Sequence, residues 1–284
     1  MPNFPIIDTH VHLWDPQHFR MSWLDNAAIL NQSYLLPEYQ QHTQGIDIEG
    51  MVYIEVDVDA PYKLLEARWV VEQAKKDSRL RGIVAYAPVE DGERIHAYLT
   101  ELVQMSPLIK GVRRMLQGEA DSAYCLRPDF IRGVQILPDY GLSFDICVLQ
   151  QQLESAVELV RHCPNTAFVL DHIAKPDIKG QRLDPWRQHI DAMAANPNVV
   201  CKISGLATEA DLAHWKAEDL APYVEHIISA FGEDRIMYGG DWPVAIQATS
   251  YPRWVETLDM LTTHLSPEAS RKLWVENART FYRL

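Results

Sequence analysis

Residues 5–15 of the chain read PIIDTHVHLWD, an apolar run that ends in two histidines one residue apart. Side chains alternate along a strand, so strict alternation places Asp8, His10 and His12 on one face and Thr9 and Val11 on the other. Three titratable groups then share one side of a segment whose apolar residues mark it for burial. Buried polar groups need partners. The remaining sequence must bring other polar groups to this strand.

Seven more short, β-rich apolar runs follow: IEGMVYIEVD (48–57), LRGIVAYAPV (80–89), IKGVRRML (109–116), LSFDICV (142–148), TAFVLDHI (166–173), VVCKISGL (199–206) and RIMYGGDWPV (235–244). Helical stripes separate them, such as Leu64, Ala67, Val71 and Ala74, then Leu153, Val157 and Val160, then Leu220, Val224, Ile227 and Phe231 before Gly232. A last helix opens with Ser266 as N-cap and Pro267 at the first helical position. Eight strands alternating with helices predict an α/β fold, one distorted (β/α)8 barrel spanning residues 1–284 as a single domain with C-terminal helices. A doubly wound open sheet is the alternative, weakened by the absence of a GxGxxG turn after the first strand. The connection over roughly residues 14–46 is long and carries Trp14, Phe19, Trp23 and Tyr34. In a barrel it hangs over the C-terminal mouth, where active sites sit.

Composition narrows the partners. The net charge is −13 with no basic run, which argues against nucleic acid or an anionic membrane surface. The apolar share of 47% is that of an ordinary globular protein with a sizeable core. Cys125, Cys147, Cys163 and Cys201 form no CxxC pair and lie in apolar surroundings, so they read as reduced core residues of a cytoplasmic protein. No charged-then-apolar leader precedes the first strand, and no apolar run approaches the length of a membrane span. The expected partner is a small molecule; the oligomeric state is not encoded legibly.

The strand ends carry the chemistry. They supply His10 and His12, Glu55, Arg113, Asp145, Asp171 and His172 with Lys175 just beyond, Lys202, and Asp241. In a barrel these ends converge on one mouth. Each has an ordinary reading alone: Glu55 as a solvent-facing carboxylate, Arg113 beside Arg114 as a solvated edge, GGDWPV as a turn. Lys202 inside an apolar strand demands a counter-charge or a function. Packing does not account for the coincidence of all of them at equivalent strand ends.

IIDTHVHLWD, LDHIAKP, KISG, YGGDWPV and the terminal ENARTFYRL resemble the amidohydrolase superfamily, and within it the lactonases related to 2-pyrone-4,6-dicarboxylate lactonase. KISGLATEAD and GDWPVAIQATSY look most like the L-fuconolactone and L-rhamnonolactone hydrolases. The resemblance implies a site at the barrel mouth built on His10, His12, His172 and a catalytic aspartate at Asp241. It departs from the binuclear members of the superfamily. The fifth strand offers Asp145 rather than a histidine, and Lys110 sits too early on the fourth to bridge two metals.

The reading is therefore hydrolysis of a sugar lactone to the aldonic acid, with Asp241 as general base on water. His10, His12 and His172 support the oxyanion directly or through one metal ion. Arg113, Lys202, Lys175, Trp23 and Trp242 are expected to bind substrate, with Trp14 and Tyr251 as further candidate sugar platforms. A single zinc on His10, His12, Asp241 and Glu55 or His172 is expected to be dispensable. The resemblance points the same way, because that lactonase branch works without metal. Alternatives are a lactone isomerase, a metal-dependent decarboxylase, a metal-dependent amide or imide hydrolase, and a non-catalytic sugar-acid binding protein. A serine nucleophile lacks support, because no G-x-S-x-G elbow is present.

Overall fold

The computed structural model describes residues 1–284. The eight apolar runs form eight strands: β1 Ile6–Val11, β2 Ile48–Ile54, β3 Leu80–Tyr86, β4 Ile109–Arg113, β5 Ser143–Ile146, β6 Phe168–Leu170, β7 Val199–Ile203 and β8 Ile236–Tyr238. All pair in parallel in sequence order, with helices between them on the outside. Such strands are buried on both faces, which is why they read as nearly continuous apolar runs. The sheet meets itself where Val11 bridges Trp242 and the His12 amide donates to the Trp242 carbonyl at 2.8 Å. The architecture is a (β/α)8 barrel.

The helices follow the sequence pattern with one adjustment. In Leu153–His162 and Ala217–Phe231 the expected residues are buried, and Gly232 ends the second with a φ of +70°. Ser266 accepts from the Ala269 amide at 3.1 Å, ahead of Pro267. In Lys63–Ala74, however, the inward face is rotated: Ala67 and Val70 are buried, whereas Leu64, Val71 and Ala74 are only half-buried. The cause is polar. Glu66 lies inside, accepting from the Tyr53 hydroxyl at 2.7 Å and the Val56 amide at 2.8 Å.

The connection after β1 is ordered. It contains a 3-10 turn at Ser22–Asn26 and a helix at Leu36–His42. Trp14 and Tyr34 exchange backbone hydrogen bonds of 2.9 Å, and the Trp23 indole donates to the Val56 carbonyl at 2.9 Å. Trp14 meets Trp23 edge to face at 5.5 Å. The segment is thereby fastened beside the ends of β1 and β2. No helix is long and apolar enough to cross a membrane. All four cysteines are free and buried.

Candidate active site

The first strand does not keep strict alternation. Its register with β2 shifts between Asp8 and Val11, so Asp8 and the two histidines do not share a face. Asp8 turns toward the helices carrying Tyr39 and Tyr251, whose hydroxyls donate to it at 3.1 and 2.8 Å. Its other oxygen accepts from the amides of Gly240 at 2.7 Å and His10 at 3.0 Å. Burial raises its pKa to about 6 against those four bonds. Asp8 thus ties β1 to the chain leaving β8. Gly240 must be glycine for this: a Cβ there would stand 2.4 Å from Asp8 Oδ2.

Immediately after that tether comes Asp241, held at a φ of +52°. A non-glycine residue in this region is strained, and such strain collects at functional sites. Its Oδ1 stands 3.6 Å from His12 Nε2, 3.8 Å from His172 Nε2 and 3.9 Å from His10 Nε2. Burial alone would raise the Asp241 carboxyl, but His172, His12 and His10 outweigh it and hold it well below the usual carboxylate range. Burial also holds His10 well below the usual imidazole range and takes His172 to about 4. Near neutral pH, then, an ionised carboxylate faces uncharged His10 and His172. Gly205, at a φ of +68°, makes the room: a Cβ there would lie 2.7 Å from the His172 ring and 2.9 Å from Asp241.

The far side of each ring decides which nitrogen carries the proton. His12 Nδ1 lies 2.8 Å from the Ile54 carbonyl. A carbonyl only accepts, so Nδ1 holds the hydrogen and Nε2 presents a lone pair. His10 Nδ1 lies 3.3 Å from Asp171 Oδ1, at ion-pair distance rather than in an aligned hydrogen bond, which favours the same tautomer. His172 Nδ1 meets the Ser204 hydroxyl at 2.9 Å, a partner that can donate or accept.

Beneath the imidazoles lies a buried charge network. Lys202 is fully buried and reaches Asp145 at 2.6 Å and Asp171 at 3.1 Å. Arg113 reaches Glu55 Oε1 at 2.8 Å, the Glu55 carbonyl at 2.5 Å and Asp171 at 3.2 Å. Burial alone would raise Asp171, but Lys202, His10 and Arg113 hold it well below the ordinary range. Burial outweighs Lys202 at Asp145 and lifts it to about 6. Two expected site residues are placed elsewhere. Lys202 is walled into the barrel by carboxylates and is not in the lining of the pocket above. Glu55 is taken by Arg113 and by the Asp57 amide at 2.8 Å, so it does not join the metal-donor group.

Above this floor opens a pocket of about 190 Å³, lined among others by His12, His172, Asp241, Arg113, Trp23 and Lys175. Arg113 borders it with its charge already matched, while His10 lies just underneath. Trp242 is not in the lining. It is buried against Tyr34 and Tyr39, and its indole donates to His42 Nδ1 at 3.0 Å. Tyr251 is likewise committed to Asp8. Trp14 lines the pocket beside Trp23. Sequence reading missed Met115, Gln117 and Cys147, which line the pocket just past β4 and β5. Their position immediately beyond strand ends was the available signal. Burial pushes the Cys147 thiol up to about 11, so it is no nucleophile.

The donor set fits a divalent ion. Ligand atoms of His10, His12 and Asp241 lie within 4.8 Å of one another. The Nε2–Oδ1 separations exceed hydrogen-bond reach, and the His12 lone pair faces the carboxylate as a zinc ligand does, while His10 Nε2, 3.9 Å from it, also accepts from Arg113 Nη1 at 3.5 Å. His10, Asp171 and His172 form a second group, but Asp171 is already clamped by Lys202 and Arg113.

A family model described as amidohydrolase matches residues 7–284. A protein named L-fucono-1,5-lactonase from Burkholderia ambifaria is 30% identical over 223 residues, covering 77% of this chain and 76% of its own. One named L-rhamnono-gamma-lactonase from Scheffersomyces stipitis is 23% identical over 338 residues, covering 100% of both chains. Among solved structures, a crystal structure of an amidohydrolase from Burkholderia multivorans with bound zinc is 27% identical. It has a TM-score of 0.89 and covers 99% of this chain and 100% of its own.

Proposed function

The chain belongs to the amidohydrolase family, and from that footing we propose that it hydrolyses a sugar lactone to the open aldonic acid, with Asp241 as general base. The observation that carries this is the meeting of Asp241 Oδ1 with three imidazole nitrogens at 3.6, 3.8 and 3.9 Å beneath an open pocket. The lactonase names of two relatives support the substrate class.

Asp241 is ionised and accepts one proton of the attacking water. His12 Nε2, offering a lone pair, accepts a hydrogen bond from the other proton and so turns the oxygen toward the lactone carbonyl. His172 is the ring free to present Nε2–H, because Ser204 can donate to its Nδ1. It stabilises the carbonyl oxygen as negative charge develops there. Asp241 then returns its proton to the ring oxygen as the carbon–oxygen bond breaks, leaving a hydroxyl and a carboxylic acid, which ionises to the carboxylate by releasing the second proton of the water to solvent. Trp23 offers an apolar face to the sugar ring.

His10, His12 and Asp241 would hold a single zinc, which would act as a Lewis acid on the carbonyl. Lactone turnover does not require it. A lactone is an activated ester, so its barrier is modest beside that of an amide. The test is a pH-indicator screen of aldonolactones, L-fucono- and L-rhamnono-lactones included, with and without chelator. Acid release on at least one lactone is expected. Tight binding of sugar acids without turnover of any lactone would refute the reading in favour of a binding protein.

A further inference from the structure

The charges around the pocket do not cancel evenly. Asp57 is paired with Lys63 at 2.5 Å. Arg113 is matched by Glu55 and Asp171. Lys175 alone among the lining cations makes no ion pair: its ammonium donates to the neutral amide of Gln117 at 2.7 Å. Glu209 feels its field without pairing with it.

The backbone places this ammonium at a cost. His172, Ile173, Ala174 and Lys175 have φ values of +52°, +50°, +59° and +46°. Four consecutive non-glycine residues in the left-handed region are unfavourable, and they persist only where the surroundings enforce them. Ile173 and Ala174 are buried, while both ends of the turn, His172 and Lys175, line the pocket. The turn sets an imidazole and an unpaired ammonium at one cavity.

We propose that Lys175, with Gln117, is the binding subsite that takes the carboxylate formed when the lactone ring opens. The inference rests on the lactonase reading. Hydrolysis converts a neutral substrate into an anion beside ionised Asp241, which repels it. An unpaired ammonium in the same pocket offsets that repulsion, and Gln117 can add an amide N–H once Lys175 turns to the carboxylate. Arg113 and Lys202 are not free for this task, since buried carboxylates already hold them.

The experiment measures binding of the aldonate of the fastest lactone, and of the matching uncharged alditol, to wild type, Lys175→Met and Lys175→Arg by titration calorimetry. Lys175→Met is expected to weaken aldonate binding at least about tenfold, as for loss of a charge-assisted hydrogen bond. Alditol binding should change less than about threefold, and Lys175→Arg should restore most of the aldonate affinity. Added salt should weaken wild-type aldonate binding more than that of Lys175→Met. Unchanged aldonate affinity in Lys175→Met, or equal losses for aldonate and alditol, overturns the subsite. Should Lys175→Met not fold, Gln117→Leu decides by the same comparison: a selective loss of aldonate binding supports the subsite and an equal loss overturns it. If wild type turns over lactones while either overturning result holds, only the subsite falls. If wild type turns over no lactone, the functional reading falls and the subsite with it.

Discussion

Replacing Lys202 with Met separates a buried structural charge from a substrate contact. The ammonium lies 2.6 Å from Asp145 and 3.1 Å from Asp171. Without it Asp171 keeps Arg113 at 3.2 Å, but Asp145 keeps only the Tyr282 hydroxyl at 3.3 Å. Removing one partner of a buried pair costs about 3–5 kcal/mol. Part of that cost depends on pH, and its sign follows from Asp145. In wild type this carboxyl titrates at about 6, above its ordinary 3.8, so it lowers stability as pH rises through that interval and no further. Without Lys202 the folded pKa rises again. The native state then keeps a proton that the unfolded chain has lost, and stability continues to fall by about 1.4 kcal/mol per pH unit. For a carboxyl protonated up to pH ~8, the deficit grows by about 2.7 kcal/mol between pH ~6 and ~8. Urea unfolding of wild type, Lys202→Met and Lys202→Met/Asp145→Asn across this range measures it, and the double variant should lose the added slope. At pH ~6, KM for a good lactone should stay within about threefold, a change worth under 1 kcal/mol. A large rise in KM with unimpaired stability would refute the reasoning and place Lys202 against the substrate.

Asp241→Asn should fold and bind the aldonate but lose about 10²- to 10⁴-fold in kcat, because the amide cannot take the proton. Near wild-type turnover would remove Asp241 as the base. Trp23→Ala should raise KM or reorder the lactones, while losing about 2 kcal/mol for its hydrogen bond to the Val56 carbonyl and its edge-to-face contact with Trp14. Stability and activity falling in equal measure would make Trp23 a packing residue. Protein stripped by chelator, verified metal-free by elemental analysis and assayed at once, should retain lactone turnover. Activity that disappears and returns only with added zinc would assign the ion an essential role.

The fold was legible because parallel barrel strands are buried on both faces, and the same burial made them visible as eight apolar runs. The convergence of His10, His12, His172 and Asp241 followed from the rule that barrel strands end at one mouth. What sequence could not reveal was where each charge ends up. Glu55, Arg113, Lys202, Asp145 and Asp171 all occupy strand ends, yet their mutual distances decide which face the pocket and which neutralise one another below it. The one-residue register shift in β1, which turns Asp8 away from the histidines, carries no mark in the sequence. Gln117 and Met115 are marked only by following the end of β4; the composition of their loop gives no sign of the pocket. Trp242 reads in sequence as an apolar face for a sugar ring, but the chain sends its ring among Tyr34, Tyr39 and His42.

The seam where β1 meets the exit of β8 has a consequence for how the protein comes into being. His10 and His12 lie at the beginning of the chain, and Asp241 lies near its end, on the other side of that seam. The His12–Trp242 and Asp8–Gly240 bonds hold the two ends together there. A nascent chain can build seven strands and still lack the carboxylate that its histidines face. The site is therefore completed only when the last strand docks. Two separately made fragments, divided between β4 and β5, would each be inert and would acquire the site only by closing the seam against each other.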